Sequence, residues 1–528
     1  MKNLKRERFN KMKKALAILL AVFMFIGIAA CSDSGKKDTA TDGTAEGAKV
    51  ADLVDILLPD AVTTIDPHHT GGAGSGHRAV FRCIFDRLVS RSQAGDYVAE
   101  LATSWDTDDM QTWVFHLRDD VTFHNGQKFT SQDVINTAMS ALASPGTAGY
   151  NSWGDVDTIS AIDENTVQIV LKTVNVDFLF FMSDPGAFII NKAARDADPV
   201  VGAYMGTGAY YVDDYVSGEY IVLTRNDDYW GAAPITRQLR FRWVPEMTAR
   251  PIMLQNGESH FAWILTAEDV PMFENDPEHY TIHRFTENAC FSLAFNMNDP
   301  ITGDLNFRKA VAYAMNLADI GMAAEGKNAV IQQDGTFWGY SQEFRNTSIP
   351  KWEQDIDAAK QYLAASSYNG EEVEIMAALP PNIRAAEMMV EQLGAIGINI
   401  NLFITDIATL NSVAGFGNDV TQMVVTVSPF NSCAASARGY LTPTGSGNRS
   451  NYNNAEVNAL FDKAAITMDR AEREAIYKQI QVLVHDDVPV INHFHLTFPM
   501  VSVSNFRGFI IDPDQNHDFR YVYLDLEG

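Results

Sequence analysis

A serine, two pairs of histidines and the cysteines are the residues whose setting could do chemistry. Gly72-Ala73-Gly74-Ser75-Gly76 comes near the Gly-x-Ser-x-Gly turn that presents a nucleophilic serine. The pattern is offset, and it lies well beyond the strand expected at 54–58 rather than on a sharp elbow, so it reads as chain that permits close approach. His68 and His69 are adjacent and would point to opposite faces of a strand, whereas His493 and His495 would share a face. The second pair could hold a metal, but no third ligand accompanies it, and a polar strand face accounts for it as well. The sequence contains no Walker loop and no His-Glu-x-x-His pattern. No catalytic residue, metal ligand or cofactor is therefore assigned.

Cys31 stands apart from Cys83, Cys290 and Cys433, which are scattered and lack metal-ligand spacing. A basic start carrying Lys2, Lys5, Arg6, Arg8, Lys11, Lys13 and Lys14 is followed by an apolar run from Ala15 to Ala30. That run is short for a membrane span and ends in small residues, as an export signal does. Ile28-Ala29-Ala30-Cys31 resembles the bacterial lipobox, which implies a signal peptide over 1–30 and a lipid on the Cys31 sulfur. From Ser32 to Lys49 the chain is Ser, Gly, Thr, Asp, Ala and Lys with almost nothing apolar to bury, so residues 31–50 read as a flexible tether.

The 528 residues include 40 basic and 67 acidic side chains. Residues 1–30 hold seven of the basic ones and only Glu7 among the acids, which leaves 33 against 66 and a net charge of −33. A body this acidic repels nucleic acid and anionic lipid surfaces. Its length exceeds what one hydrophobic core fills, so two or more lobes are expected.

Any site must be held by elements that alternate between strand and helix. Val54–Leu58 reads as a strand stopped by Pro59. Trp113–Leu117 and Thr166–Leu171 alternate apolar and polar residues, as half-buried strands do. Asn125-Gly126 is a tight-turn dipeptide. Thr130 or Ser131 caps a helix reaching about Ala143, with Asp133 in its first turn. Further helices are expected over 304–316, 357–365, 383–396, 456–468 and 470–485, and a strand over 397–402. The mixture favours α/β or α+β lobes.

Distributed along this framework are Thr64-Ile65-Asp66-Pro67-His68, Ile84–Val89, Leu101–Trp105, the dense run Trp113–Val134, Gly206-Thr207-Gly208-Ala209-Tyr210 and Arg225–Trp230. Leu254–Glu258, Leu293–Asn296, Arg308–Asn316 and Asn451–Leu460 follow in the same order. Together they resemble the family 5 extracellular solute-binding proteins, the peptide- and nickel-binding class that serves ABC importers. The resemblance implies an α/β, two-lobed hinged fold of the periplasmic-binding-protein kind, type II and of the large class with an inserted subdomain. It places lobe one over about 51–80, 205–298 and 496–528, the inserted subdomain over about 81–204, and lobe two over about 299–495. It also implies a non-enzymatic monomer that closes on a peptide or other small molecule and docks on ABC permease subunits.

In peptide-binding members a segment close to "ADYPDP" carries an Asp that pairs with the peptide's α-ammonium group. The corresponding stretch here, Met423 to Tyr440, contains no acid. Ser428 and Asn431 stand in its place, without the charge that strengthens such a contact. Another acid, Glu287 or Asp66, could take over; otherwise the ligand is a nickel chelate, an oligosaccharide or an amine-bearing metabolite. The remaining cleft candidates are Thr64, Trp263, Trp338 and Tyr340, with Arg438 as a possible carboxylate clamp. A secreted hydrolase using Ser75 and an extracellular sensor without transport are the competing functions.

Overall fold

The computed structural model describes residues 49–527 apart from 69–73, 93–94, 146, 264, 267, 418–420 and 513. The expected signal peptide, the lipid-bearing Cys31, nearly all of the tether, His69, and Gly72 and Ala73 lie outside the described residues. No helix among the described residues is long and apolar enough to cross a membrane.

One mixed sheet of twelve strands runs through the molecule. From edge to edge its path is Asn399–Ile404, Glu372–Ala377, Met423–Ser428, Cys290–Phe295, Val490–Val503, Phe261–Ala262, Leu53–Leu58, Gln238–Trp243, Tyr220–Arg225 and Tyr210–Val216. Tyr280–Thr286 and Ala329–Ile331 also pair with Val490–Val503. That strand, fourteen residues long, is common to both lobes. Its later half pairs with Tyr280–Thr286 in register Thr286↔Thr497, and its earlier half pairs with Cys290–Phe295 in register Phe291↔Phe494. Residues 287–289 therefore span the crossing from lobe one to lobe two beside an unbroken neighbour.

Each lobe closes over its own apolar core. The first gathers Val54, Ile56, Phe81, Ile84, Tyr210, Phe241, Phe261 and Phe519. The second gathers Phe291, Leu293, Phe307, Val311, Ile375, Met389 and Phe494, so lobe-two packing starts at the crossing, ahead of residue 299. A further lobe-two core holds Trp338, Phe430, Tyr452 and Tyr477. The inserted subdomain has an antiparallel sheet ordered Ala102–Asp106, Thr112–Leu117, Thr166–Leu171 and Val156–Asp163. The expected alternation is seen there: Trp113, Phe115, Val167 and Ile169 point inward to one core, with Phe129 and Val134 beneath the helix Ser131–Leu142. Thr130 N–H donates to the Asp133 carboxylate at 2.9 Å, which completes a capping box for that helix.

Several of the sequence motifs meet at one buried carboxylate. Asp86 accepts from Thr207 Oγ1 at 3.0 Å, Tyr229 OH at 3.1 Å and Trp230 Nε1 at 2.9 Å. Gly206 and Gly208 pass so close to the Ile84 carbonyl that a Cβ at either would collide with it. These motifs bind the subdomain to lobe one, and a buried acid satisfied this way is scaffold.

Candidate functional site

A cavity of about 420 Å³ opens between the lobes at the crossing. Lobe one contributes Ser75, Arg78, Asp514 and Gln515; the subdomain contributes Arg91, Phe180 and Asp184. Glu287 and Asn288 line it from the crossing, and Val427, Pro429, Phe430 and Asn431 from lobe two. A second cavity of about 350 Å³ shares Val427, Pro429 and Asn431 and continues to Tyr440 and Arg449.

The helix Ser75–Ile84 places Ser75 and Arg78 one turn apart on the same face. Val427 is the penultimate residue of the buried strand Met423–Ser428, and Pro429 stops the strand so that Phe430 and Asn431 reach the cleft. Asp514 and Gln515 come from the turn after Ile511, where Gln515 adopts a left-handed φ of 61°.

Asp514 ties four regions together. Its carboxylate pairs with Arg91 at 2.6 Å and accepts from Ser432 N at 2.8 Å and Asn288 Nδ2 at 3.0 Å. Its carbonyl accepts from Arg78 at 2.9 Å, and Arg91 also donates to the Ser432 hydroxyl. Burial opposes the Arg91 charge, but Asp514 outweighs it and the guanidinium is held above its ordinary value. Burial pushes the Asp184 carboxyl up against the pull of Arg78, Arg87 and Arg91.

Glu287 is held differently. It is 9 % exposed, and burial alone pushes its carboxyl up to about 7. Its Oε1 accepts from the Gln515 amide, whose oxygen in turn accepts from the Ser75 hydroxyl. No Lys, Arg or His among the described residues forms an ion pair with it.

The structure brings Asn431 into this cavity together with Glu287, but spreads the other expected residues elsewhere. Ser428 is buried in register with Cys290, one residue behind the lining. Thr64 accepts from Asp66 N in the early turn, and Asp66 is paired with Arg195 at 3.1 Å, away from the cavity. Trp263 is 1 % exposed, with its ring 4.5 Å from His517, so it packs in the lobe-one core and is not a stacking wall. Trp338 is fully buried and donates to the Glu343 carbonyl at 2.8 Å. Tyr340 is half-exposed beside His495 and Arg345, outside the lining. Arg438 lies on the surface, paired with Asp462 at 2.6 Å, and clamps nothing in the cleft.

Neither competing chemistry assembles. Ser75 donates to an amide oxygen, and the nearby His77 is engaged by Thr63 N and Asp60, so among the described residues the serine is bonded to no base. His495 is spent on the Ala289 carbonyl at 2.8 Å and Gln332 at 3.0 Å, while His493 is fully buried on the same strand. Burial pushes His493 down to about 3 and His495 to about 4, so both are neutral. Among the described residues no three His, Cys, Asp or Glu side chains are grouped to hold a metal. Cys83, Cys290 and Cys433 are buried and unpaired.

Arg78, Arg91, Asp514 and Gln515 escaped the sequence reading. Arg78 was signalled by its spacing from Ser75, and Asp512-Pro513-Asp514 by its turn-forming composition, but nothing local marks Arg91.

Residues 96–467 match the family described as bacterial extracellular solute-binding proteins, family 5 Middle. The chain belongs to this family. Its members are solute-binding proteins rather than enzymes. Heme-binding protein A of Haemophilus influenzae is 26% identical over 504 residues, covering 86% of this chain and 89% of that protein. The dipeptide-binding protein of Escherichia coli is 24% identical over 493 residues, covering 84% and 89%. In three dimensions, an ABC transporter substrate-binding protein of Listeria monocytogenes superposes with a TM-score of 0.80 at 23% identity, over 90% of this chain and 100% of that one. The family 5 fold is thus the two-lobed, hinged α/β arrangement of the periplasmic binding proteins, with the cleft at the crossing.

Proposed function

We propose that this chain is the ligand-capturing lipoprotein of an ABC importer, taking a peptide or oligopeptide outside the membrane and presenting it to the permease. The observation that carries the proposal is the provenance of the cavity wall: lobe one, the subdomain, the crossing and lobe two all contribute to it. A ligand touching every part binds the closed arrangement better than the open one and shifts the population toward it. The permease then meets a closed form distinct from the empty one. Cys31, acylated, holds the body at the outer face through the tether 31–50 as a monomer. The cavity falls within the roughly 300–1,000 Å³ usual for small ligands, and the adjoining chamber extends it for a longer one.

A second reading, the same transport role for a non-peptide solute, is favoured by one observation: Met423–Tyr440 offers Asn431 to the cavity and no acid. The nickel-chelate version is weakened because neither histidine nor cysteine is among the described residues that line the cavity.

The test is a thermal-shift screen of the full chain in mild detergent against di- to pentapeptides, their N-acetylated forms, oligosaccharides, and nickel with and without chelators. A ligand at a hundred times its dissociation constant stabilises by about 2.7 kcal/mol, so a binding class will be visible. Shifts confined to peptides support the first reading, and shifts confined to another class replace it with the second. Radiolabelled palmitate should enter the wild-type chain and not the Cys31→Ala chain.

A further inference from the structure

The cleft contains one carboxyl that no guanidinium among the described residues compensates. Arg91 and Asp514 neutralise each other, Arg78 is used by the Asp514 carbonyl, and Asp184 sits in the field of Arg78, Arg87 and Arg91. Glu287 lines the same cavity at 9 % exposure with one oxygen held by Gln515 and no cation opposite. A buried carboxyl without a cation costs several kcal/mol to ionise. Gln515, itself forced into a left-handed backbone and oriented by Ser75, fixes the carboxyl's direction at the floor of the cleft.

Resting on the transport reading above, we propose that Glu287 recognises a cationic nitrogen of the ligand, the α-ammonium group if that ligand is a peptide, and that capture expels one proton. The acid lacking from Met423–Tyr440 is thereby supplied from the crossing between the lobes. Below about pH 7 the carboxyl of the empty cleft is protonated; when an ammonium group arrives, the carboxyl oxygen keeps the bonding pair, the proton leaves to solvent, and a carboxylate–ammonium pair remains. The other groups that face Glu287 do not supply this linkage. From the helix Ser75–Ile84 comes Arg78, and from the subdomain Arg91 and Asp184. From the C-terminal turn comes Asp514; His495, on the strand behind the crossing, lies outside the lining and is neutral and bonded to the Ala289 carbonyl. Burial alone displaces the Glu287 carboxyl, so it titrates without a charged partner among the described residues until a ligand provides one.

Below about pH 7 the affinity for an amine-bearing ligand should rise about tenfold per pH unit and level off above it. The experiment measures dissociation constants of the full chain, wild type, Glu287→Gln and Glu287→Asp, at pH 6, 7 and 8. The probes are trialanine, N-acetyl-trialanine, spermidine and maltotriose. Support consists of binding by a free-amine probe that tightens from pH 6 to 7, loses at least tenfold with loss of the pH dependence in Glu287→Gln, and recovers part of both in Glu287→Asp. If spermidine behaves this way and trialanine does not, the Glu287 assignment stands and the peptide reading falls. If trialanine and N-acetyl-trialanine bind alike, or Glu287→Gln binds as tightly as wild type, the assignment is overturned and the peptide reading survives. Binding of maltotriose alone, or of no amine-bearing probe, overturns both.

Discussion

The cleft wall supplied by lobe one and its subdomain carries Arg78, Arg91, Asp184 and Asp514, whereas the wall facing it from lobe two offers Val427, Pro429, Phe430 and Asn431. The charges of the first wall balance one another: Arg91 pairs with Asp514, and Asp184 lies in the field of Arg78, Arg87 and Arg91. Asp514 spends its carboxylate on Arg91, on the crossing and on Ser432, so the charged wall binds the protein to itself. The neutral wall has few obligations and gives the cavity its shape. Between them, at the crossing, lies Glu287, a carboxyl held by the Gln515 amide and paired with no cation among the described residues. The contrast teaches that charge density in a cleft is a poor guide to ligand chemistry. What counts is the charge left over after the internal pairs are made.

The largest expected effect tests the commitment of the charged wall. Asp514→Ala strands a mostly buried Arg91 and removes the tie to Ser432, and should cost about 3 kcal/mol in urea-induced unfolding of the empty protein. Asp514→Asn, which can still accept from Ser432 N, should cost less. A loss under 1 kcal/mol for the alanine variant would mean that the lobes do not depend on this tie.

Next comes the uncommitted carboxyl. Glu287 ionises near 4.5 when unfolded and near 7 when folded. Between these values the native state binds more protons, so the group's contribution is complete below about pH 4.5 and is lost as pH rises through 7. Glu287→Gln does not titrate. Its empty form should therefore melt with wild type at pH 4.5 and above wild type at pH 8, by an amount on the order of 2 kcal/mol. Equal melting at both pH values would show that the carboxyl is already compensated.

On the neutral wall, Asn431→Ala should leave the melting temperature nearly unchanged and weaken whichever ligand the screen identifies by about 1 kcal/mol, the worth of one hydrogen bond. Smallest of all, Arg438→Ala should change neither stability nor affinity by more than about 0.5 kcal/mol, since its partner Asp462 is a solvent-exposed acid. A large loss of affinity there would reopen its role as a clamp.

Much of the framework was legible because its signals are local. The alternation in Trp113–Leu117, the cap at Thr130 and the turn at Asn125-Gly126, where Gly126 has φ 82°, each depend on a few neighbouring residues. The motif order indicated the fold before any contact was known. The cavity was less legible because its lining arrives from segments far apart in sequence, and Arg91 and Asp514 meet across 423 positions. Trp263 and Trp338 show a related limit: an aromatic residue's type is the same in a core as in a binding wall, and only its neighbours decide. Asn431 and Glu287 were found by asking what a missing acid would require, a chemical question that spacing alone does not pose.

The strand Val490–Val503 has one more consequence. At about 3.3 Å per residue it extends roughly 46 Å, with partners on both sides of the crossing and Pro499 already within it. A molecule whose halves share such a member has no slack joint. Whatever angle its lobes adopt must be absorbed as torsion in a continuous ribbon, distributed over many residues, and returned when the load is removed.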